Sequence, residues 1–484
     1  MIKRFVIFLI AIIMTLSATF VGNTLRYTSR QQLADSVVLP AISDTGAALQ
    51  RLSEAVQIPT ISYDDREADV ATLHAMRGFL EKNFPLCHAQ LHKETVGSHS
   101  LLYRWEGSDT TQLPVMLIAH YDVVPAGDSM AWQQKPFGGV IKDGYIWGRG
   151  TLDDKVSVLG IMEAVEMLLK EGYHPKRTVY IGFGHDEERG GTGAQAIAAT
   201  LKARGVKLAY LLDEGLVLTQ GIAPAIERPL ASIGLAEKGY VTVELTAEAN
   251  GGHSSMPPPR TAIGMLSEVV AHLEQHPMPQ KITPLTCEMF DYMGPEMSLP
   301  LRAVFANRRL LQPLINRQLA AGSATNATTR TTTAPTIFKA GDKENALAHT
   351  ATALINFRIL PGETIDDVLK HVAAAVGNKP IAIKAKEGGS NPSPVASVSG
   401  EGFRNAATTA RQVFGDVVVA PALCVATTDA RHYTATTDNA LRFLPVTLQN
   451  DDLAGIHGID ERLKTKDYPK VIQYYYLFIK NGTK

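Results

Sequence analysis

Histidines and carboxylates recur in short segments that follow apolar stretches of the chain, and the first such segment contains His120. At positions 118–122 the chain reads IAHYD, so an apolar strand leads directly into a histidine and then an acid. Residues i and i+2 of an extended chain point to the same side, so Asp122 can accept a hydrogen bond from the second ring nitrogen of His120. A metal-ligating histidine nearly always has such a partner. An isolated pair of this kind is more often structural, so its companions decide its meaning.

Two pairs of adjacent acids follow further along the chain. Asp153 and Asp154 come after a Gly-punctuated turn and begin a helix, where the helix dipole stabilises negative charge and an N-cap is the ordinary explanation. Glu187 and Glu188 follow an apolar strand. Adjacent glutamates point in different directions, so one can bind a metal while the other acts as a general base beside a bound water. A solvated acidic loop is the ordinary explanation of this second pair.

Asp213 and His457 complete the set. Asp213 ends the apolar strand 208–212, and His457 lies between glycines in the sequence GIHG near the end of the chain. Four of the five groups lie in or just after apparent strand ends, where α/β sheets bind their ligands. Two histidines with several carboxylates match the ligands of a zinc pair bridged by one carboxylate. Coincidence therefore explains the whole set poorly.

In chain order, the segments HYDVVP, GRGTLDDK, DEERGG, LDEG, GGHSSMP and GIHG resemble the motifs of the di-zinc aminoacylase and glutamate-carboxypeptidase-like metallopeptidases. The resemblance extends from Ala47 to the carboxyl terminus. Segments 326–333, 356–362 and 428–433 are most similar to the carboxypeptidase S branch, which includes a secreted N-fatty-acyl-amino-acid synthase/hydrolase.

The resemblance implies a role for each group and two Zn²⁺ ions per subunit. Asp153 would bridge the two ions, and Asp122 would support catalysis beside His120. Glu187 would be the base that takes a proton from water and returns it to the leaving amine. The implied metal ligands are His120, Asp153, Glu188, Asp213 and His457. Sites with these ligand types also accept cobalt or manganese. The family further suggests a cis peptide bond between Asp153 and Asp154.

Three more residues, all in the later part of the chain, are implied to contact the substrate. His253 corresponds to a histidine that steadies the tetrahedral oxyanion and often reaches a partner subunit's site, which is compatible with a homodimer; a turn histidine is the ordinary explanation. Arg358 matches an arginine that binds the substrate's free carboxylate with its planar fork of donors. Asn345 would assist. The chain departs from the family here, because it reads NALA at 345–348 where proline is frequent after the Asn-x-x motif.

The pattern of elements predicts an α/β scaffold for these residues. From about residue 45 to 230, amphipathic helical segments alternate with short apolar strands, which indicates a mostly parallel sheet with helices on both faces, of the zinc-peptidase type. After Ile233 the strands alternate polar and apolar residues, as in a small α+β lid domain, and 299–318 has the pattern of additional helix. A chain of 484 residues is long for one core. We therefore expect catalytic-domain parts at 40–235 and 388–484 and an inserted lid domain at 236–387.

The amino terminus is of a different kind. Lys3 and Arg4 precede an almost unbroken apolar run from Phe5 to Val21, which predicts a signal-anchor or signal peptide within residues 1–24. The run is just long enough to span a bilayer, and no convincing cleavage site follows, so an uncleaved anchor is favoured over a removed signal peptide or a buried helix. With the basic residues held inside, the rest of the chain would be exported and would face the periplasm or the exterior, tethered to the membrane.

Charge and cysteine content exclude other classes of function. A formal net charge of −1 argues against a general affinity for nucleic acid. Cys87, Cys287 and Cys424 lie far apart, so they form neither a disulfide framework nor a zinc-thiolate site. The sequence thus predicts zinc-dependent hydrolysis, reversible in principle, of the amide bond in N-acyl amino acids or short peptides with a free carboxylate. An exported dipeptidase or carboxypeptidase shares the whole metal site and stays open. A non-catalytic binding domain on a peptidase fold is a third interpretation, although such domains usually lose a ligand or the base.

Overall fold

The computed structural model describes residues 2–32, 34–223 and 225–484. The α-helices in chain order are α1 (Ile2–Arg26), α2 (Thr45–Val56), α3 (Val70–Asn83), α4 (Pro85–Gln90), α5 (Lys155–Lys170), α6 (Thr192–Ala203), α7 (Ala262–Gln275), α8 (Pro284–Met293), α9 (Leu299–Ala306), α10 (Arg308–Ala321), α11 (Ser323–Ala327), α12 (Ile365–Val376), α13 (Glu401–Phe414), α14 (Asn450–Leu453) and α15 (Tyr468–Gly482). The strands are β1 (His92–Val96), β2 (Ser100–Trp105), β3 (Val115–His120), β4 (Val140–Lys142), β5 (Tyr145–Trp147), β6 (Val179–Gly184), β7 (Tyr210–Asp213), β8 (Leu218–Thr219), β9 (Leu230–Glu237), β10 (Gly239–Glu248), β11 (Gly252–His253), β12 (Thr332–Ala340), β13 (Ala346–Leu347), β14 (Thr350–Ile359), β15 (Ile381–Ala385), β16 (Val418–Cys424), β17 (Ala440–Arg442), β18 (Thr447–Leu448) and β19 (Arg462–Lys464).

The large sheet has ten strands in the order β1-β2-β6-β3-β7-β17-β9-β8-β18, with β16 also paired to β9. The central strands β6, β3, β7 and β17 run parallel to their neighbours in that order. Every residue of β3 and β6 is buried, and alternate residues of β3 enter two different cores: Leu117 joins the core that contains α5 and α15, whereas Met116 and Ile118 join the core formed with α6. Helices therefore cover both faces, as the sequence predicts.

A second sheet has the order β12-β14-β10-β15 and is antiparallel throughout. Its strands β10 and β14 alternate buried and half-buried residues, because helices α7 and α12 cover one face. Val243, Leu266, Ile355 and Val372 belong to the separate core between them. The α/β class is thus confirmed, with a second, smaller α+β unit between β9 and β16. The domain boundaries at 235/236 and 387/388 stay a prediction.

Two helical features lie outside these layers. Helix α1 has 25 residues and a window of mean hydropathy 2.5, so it is long and apolar enough to cross a membrane, a property that signal sequences share. The segment 299–318 is helical, but it is divided at Asn307 into α9 and α10. We call α9, Asn307 and α10 the α9–α10 segment.

Candidate metal centre and active site

The carboxyl ends of three adjacent parallel strands bring the first predicted groups together. His120 is the last residue of β3 and lies opposite Gly184 at the end of β6, so the chain after β6 carries Glu187 and Glu188 to the same edge. Asp213 ends β7 on the other side of β3. Parallel strands end at one edge of a sheet, so residues far apart in sequence become neighbours here.

Asp153 lies between two histidines. Its Oδ1 is 2.9 Å from Nε2 of His120, and its Oδ2 is 3.0 Å from Nε2 of His457. The same nitrogen of His457 is 3.2 Å from Oε2 of Glu188. One potential ligand atom from each of His120, Asp153 and Glu188 lies within 4.8 Å of the others. A single carboxylate therefore faces two imidazoles with its two oxygens, as a bridging ligand does.

Asp122 positions both sides of this cluster. Nδ1 of His120 is 3.1 Å from the backbone oxygen of Asp122 and 3.3 Å from Oδ1 of Asp122. The contact with the carboxylate is the one that the spacing predicts. The carboxylate of Asp122 also accepts hydrogen bonds from the backbone N–H groups of Glu187 (3.0 Å) and Glu188 (3.2 Å), and from the hydroxyl of Ser62 (2.7 Å). Asp122 is fully buried, so these bonds hold the glutamate turn against the histidine.

Asp213 is buried at the same edge, but its carboxylate makes other contacts. It accepts hydrogen bonds from the backbone N–H groups of Ala430 (2.7 Å) and Glu214 (2.9 Å). Its role as a metal ligand stays a prediction. The cis peptide bond between Asp153 and Asp154 is confirmed.

His253 and Asn345 lie together, away from the cluster. Strand β11, which ends at His253, pairs with β13, and the backbone N–H of Ser254 donates to the backbone oxygen of Asn345 at 3.1 Å. Nδ1 of His253 is 2.7 Å from the hydroxyl of Ser255. Both side chains are exposed, and among the described contacts neither reaches His120, Asp153 or Glu188. Their roles toward a substrate stay predictions.

Arg358 lies on β14, where its guanidinium stacks over the ring of Tyr240 at 4.9 Å. Burial lowers the pKa of Arg358, and the nearby positive charge of Arg431 lowers it further. Arg431 itself lies 3.6 Å from Oε1 of Glu187. The segment 428–433 around Arg431 is similar to the carboxypeptidase S branch, but its sequence predicts no role for Arg431 itself. The structure brings it next to the predicted base.

Glu461 organises the turn that carries Asp153, a role that no sequence motif indicated. Its Oε1 accepts hydrogen bonds from the backbone N–H groups of Gly150 (3.0 Å), Leu152 (2.7 Å) and Asp153 (3.2 Å). Its Oε2 is 2.6 Å from Nη1 of Arg149. Both ionic side chains are buried. A single carboxylate therefore fixes the turn through its backbone donors.

Pairing between β5 and β19 brings Glu461 to this turn, because Arg462 lies opposite Trp147. The same pairing brings the loop with His457 to Asp153. Nη2 of Arg149 adds a hydrogen bond of 2.7 Å to the backbone oxygen of Gly458. The available signal was an acid four residues after His457, but nothing local indicated its distant partners.

The electrostatics of the cluster favour bound cations. Burial raises the pKa of Glu187 and of Glu188, and neighbouring carboxylates raise both further. Hydrogen bonds to Asp153 and Glu188 raise the pKa of His457 to about 10. Within the described residues, Oε1 of Glu188 and Oδ1 of Asp154 are buried without a hydrogen-bond partner. Unpaired carboxylate oxygens beside imidazole nitrogens are the donor set that zinc binds, so these residues fit a metal centre.

A polar cluster of this composition at the carboxyl edge of a mostly parallel sheet, with a carboxylate free to act as a base, defines a metal-dependent hydrolase. Residues 116–481 match the model of the peptidase family M20/M25/M40, and the chain belongs to this family. It is thus an enzyme of the metallopeptidase and amidohydrolase type, and the family depends on metal.

Two relatives show how far the similarity extends. The chain is 40% identical to the probable carboxypeptidase S-like 2 of Dictyostelium discoideum, over 96% of this chain and 91% of that protein. It is also 40% identical to the N-fatty-acyl-amino acid synthase/hydrolase PM20D1 of Xenopus tropicalis, over 90% of this chain and 85% of that protein. The fold is similar to the crystal structure of the M20 family metallo-carboxypeptidase Sso-CP2 from Sulfolobus solfataricus, with a TM-score of 0.67 at 20% identity, covering 90% and 99% of the two chains.

Proposed function

We propose that this enzyme hydrolyses the amide bond of N-acyl amino acids, or of short peptides with a free C-terminal carboxylate, at a two-zinc centre. The observation that carries the proposal is Asp153, whose two oxygens face His120 and His457 at 2.9 and 3.0 Å while Glu187 lies on the adjacent turn. The two relatives above, one named a carboxypeptidase and the other an N-fatty-acyl-amino acid synthase/hydrolase, support the two substrate classes.

The residues that would hold the two zinc ions share imidazole or carboxylate donors at one edge of the sheet. They are His120, Asp153, Glu188, Asp213 and His457. Bound zinc ions would polarise the scissile carbonyl and make the attacking water more acidic. Cobalt or manganese would serve the same ligand set.

Glu187 would act as the general base and acid. It takes a proton from the attacking water as the oxygen adds to the amide carbon, and it delivers that proton to the nitrogen as the C–N bond breaks. The products are a carboxylic acid and a free amine. Burial and neighbouring carboxylates raise the pKa of Glu187, whereas Arg431 lowers it. A base with a raised pKa holds the proton long enough to return it, which suits this double role.

Arg358 would bind the substrate's carboxylate. Its planar fork suits a carboxylate, and its neighbour Arg431 would add positive charge on the side of Glu187. His253 and Asn345 would complete the oxyanion and carboxylate contacts. Their position on an exposed ribbon, apart from the cluster, supports a homodimer in which His253 reaches the site of the partner subunit. Mixing a His253→Ala chain with a Glu187→Gln chain tests this, because mixed dimers would regain one intact site, whereas sites built from one chain would stay inactive.

The base is tested by Glu187→Gln in the full chain. Turnover should fall by about 10²–10⁴-fold, while metal content measured by atomic absorption stays unchanged. The matched control is Glu188→Gln on the same turn, which should lose metal as well as turnover. A near-wild-type rate for Glu187→Gln would refute the assigned base.

A carboxypeptidase or dipeptidase is the second candidate, supported by the name of the Dictyostelium relative. The full chain would be given N-lauroyl, N-acetyl and dipeptide substrates that share one C-terminal residue. Fast release from the lauroyl compound alone would establish a lipid-amino-acid amidase. Preference for the dipeptide would establish a peptidase.

We also propose that α1 is an uncleaved membrane span that tethers the exported enzyme, with its catalytic centre on the periplasmic or extracellular side. Lys3 and Arg4 before the apolar run support this orientation. The span is supported if the membrane-bound protein resists alkaline carbonate extraction and retains its amino-terminal residues by sequencing. Soluble protein that begins after residue 24 would refute it.

A further inference from the structure

The carboxyl-terminal part of α1 is hydrogen-bonded to the α9–α10 segment through the buried side-chain amide of Asn307. Asn307, at the break between α9 and α10, is only 4% exposed. Its Oδ1 accepts a hydrogen bond from Nδ2 of Asn23 at 3.0 Å. Its Nδ2 lies 3.1 Å from the backbone oxygen of Phe20 and 3.3 Å from the hydroxyl of Thr24. The last turns of α1 therefore pack against the break between α9 and α10.

The segment that follows α1 is fastened to α8. The hydroxyl of Tyr27 donates to the backbone oxygen of Phe290 at 2.5 Å. Arg30 forms ion pairs with Glu288 at 2.8 Å and with Asp291 at 3.0 Å. These contacts give α1 a defined direction relative to the catalytic body, unlike a flexible linker.

The α9–α10 segment also exposes large apolar side chains on the protein surface. Leu299 at the start of α9 is 69% exposed, and Leu310 and Leu314 on α10 are 59% and 58% exposed. Leu310 and Leu314 lie one turn apart on the same face. The neighbouring Arg309 and Arg317 are exposed as well. Exposed leucines bordered by arginines are typical of helices that lie in a membrane interface.

The length of the apolar run sets the depth of this surface. Phe5 to Val21 covers about 25 Å at about 1.5 Å per residue, whereas the hydrocarbon core is about 30 Å thick. Leu16, Thr19 and Phe20 line a groove against residues 306–310. These α1 residues belong to the end of the run, so the α9–α10 segment beside them lies at the level where hydrocarbon meets lipid headgroups.

We infer that the α9–α10 segment is a membrane-contact surface, which inserts Leu299, Leu310 and Leu314 into the leaflet around α1 and holds the enzyme in one orientation on the bilayer. This inference rests on the membrane span proposed above for α1. Arginines at the rim suit it, because they extend their charged ends to phosphates.

The α9–α10 segment is connected through α11 to β12, the strand that pairs with β14 and its Arg358. After α10 the chain passes through α11 into β12, where Thr332 lies opposite Arg358. Contact between the α9–α10 segment and the leaflet would therefore hold strands β12 and β14 of the smaller sheet near the membrane surface. An N-acyl amino acid with a long acyl chain partitions into the same leaflet, so the contact suits that substrate class.

The test places an environment-sensitive fluorophore on single cysteines in the full chain, reconstituted in phosphatidylcholine and phosphatidylglycerol vesicles. A Cys287→Ser background leaves only the buried Cys87 and Cys424. The labelled positions are Leu310→Cys and Leu314→Cys. Leu9→Cys in α1 is the positive control, and Leu113→Cys, 53% exposed in the loop before β3, is the matched aqueous control.

Lipid-attached nitroxide should quench the label at 310 and 314 at least about threefold more strongly than at 113, and aqueous iodide should do the reverse. Quenching at 310 and 314 by iodide as at 113, with position 9 quenched by lipid, would overturn the inference and leave the anchor standing. Protection at 310 and 314 from both quenchers would overturn it in favour of a protein partner. No lipid quenching at position 9 would overturn both the span and the surface. Hydrolysis is not measured, so each of these outcomes is independent of the proposed activity.

Discussion

Replacing Glu461 by glutamine removes one negative charge from a fully buried position and changes the size of the side chain very little. Arg149 is also buried, and after the substitution its guanidinium keeps the backbone oxygen of Gly458 at 2.7 Å and the ring of Trp132 at 5.3 Å but has no counterion. Removing one partner of a buried ion pair costs about 3–5 kcal/mol, because the remaining charge has no counterion. Glutamine keeps one carbonyl oxygen for the backbone donors, so we expect about 3 kcal/mol, at the lower end of that range.

The same substitution should reach the metal centre through Asp153. Its backbone N–H donates to Glu461, as do those of Gly150 and Leu152, so weaker acceptance loosens the turn that presents the Asp153 carboxylate. Residues that orient metal ligands from outside the coordination shell typically contribute 10- to 100-fold to metal affinity, and we expect a loss of about that size.

Thermal unfolding of the metal-free protein and zinc competition with a chelating dye would measure the two effects. About 3 kcal/mol corresponds to a Tm lower by roughly 5 °C for a catalytic domain of about 290 residues, at about 2.1 cal/mol/K of unfolding entropy per residue. Asp460→Asn is the matched control, since it removes the same charge from the preceding, less buried residue, which contacts Gln133.

The double variant Arg149→Met/Glu461→Gln should be more stable than Glu461→Gln, because no unpaired charge remains. Burial raises the pKa of Glu461, which agrees with a pair whose net contribution is small although its disruption is costly. The reasoning fails if Glu461→Gln unfolds within about 1 kcal/mol of wild type and binds zinc equally well.

Four further substitutions test the neighbouring residues. Asp122→Asn should lower kcat/KM at least about 100-fold, because an amide cannot accept hydrogen bonds from the His120 ring and the glutamate turn together; steady-state kinetics would detect it. Arg358→Lys should raise KM about 10- to 100-fold with little change in kcat, and equal KM values would contradict its role. Arg431→Met removes a charge that lowers the pKa of Glu187, so the acidic limb of the pH–rate profile should move to higher pH. Burial, with Arg358 nearby, lowers the pKa of Lys238 to about 7. Between about pH 7 and 10 the unfolded chain therefore binds up to about one proton more than the folded chain, so the free energy of unfolding should rise with pH across this range. This rise should be absent in Lys238→Met.

Residue type and spacing predicted the groups at strand ends because the geometry of a parallel sheet links them. His120 and Glu188 follow neighbouring strands, so an apolar run before each was sufficient to bring them together. Asp153 and His457 depend instead on the pairing of β5 with β19, two strands of three residues that lie more than three hundred positions apart. Strands that short have no periodicity to recognise, and His457 was indicated only by its flanking glycines and by the family resemblance.

Glu461 and Asn307 could not be predicted for a different reason. Each acts by contacting backbone groups, and a backbone N–H or carbonyl oxygen has no signature in the sequence. Glu461 accepts from three N–H groups of a distant turn, and the amide of Asn307 contacts the backbone of α1. In the printed sequence, the first is one acid among many and the second is a polar residue within a helical pattern.

The connection between β9 and β10 at Glu237 and Lys238 explains how Arg358 comes near Arg431, which contacts Glu187. Glu237 ends β9, and its carboxylate accepts hydrogen bonds from the backbone and hydroxyl of Thr428, both at 2.9 Å, which fixes the segment that carries Arg431. The next residue, Lys238, donates to the backbone oxygens of Ala327 at 3.0 Å and Arg330 at 2.8 Å, just before the strand that pairs with Arg358.

Adjacent residues of opposite charge thus fix Arg431, in the 3-10 helical turn 429–435 beside the large sheet, and Arg358, on β14 of the smaller sheet. Lys238 is buried and has three oxygen acceptors, all in residues 327–332. It therefore holds the start of β12 at the point where the chain leaves β9. A rotation of the smaller sheet (β12-β14-β10-β15) about this connection would move Arg358 relative to Glu187 but leave Arg431 in place. The proposed carboxylate contact of Arg358 is therefore the part of the site that depends on the relative position of these two sheets. The proposed metal ligands and base depend instead on the large sheet, its loops and the pairing of β5 with β19.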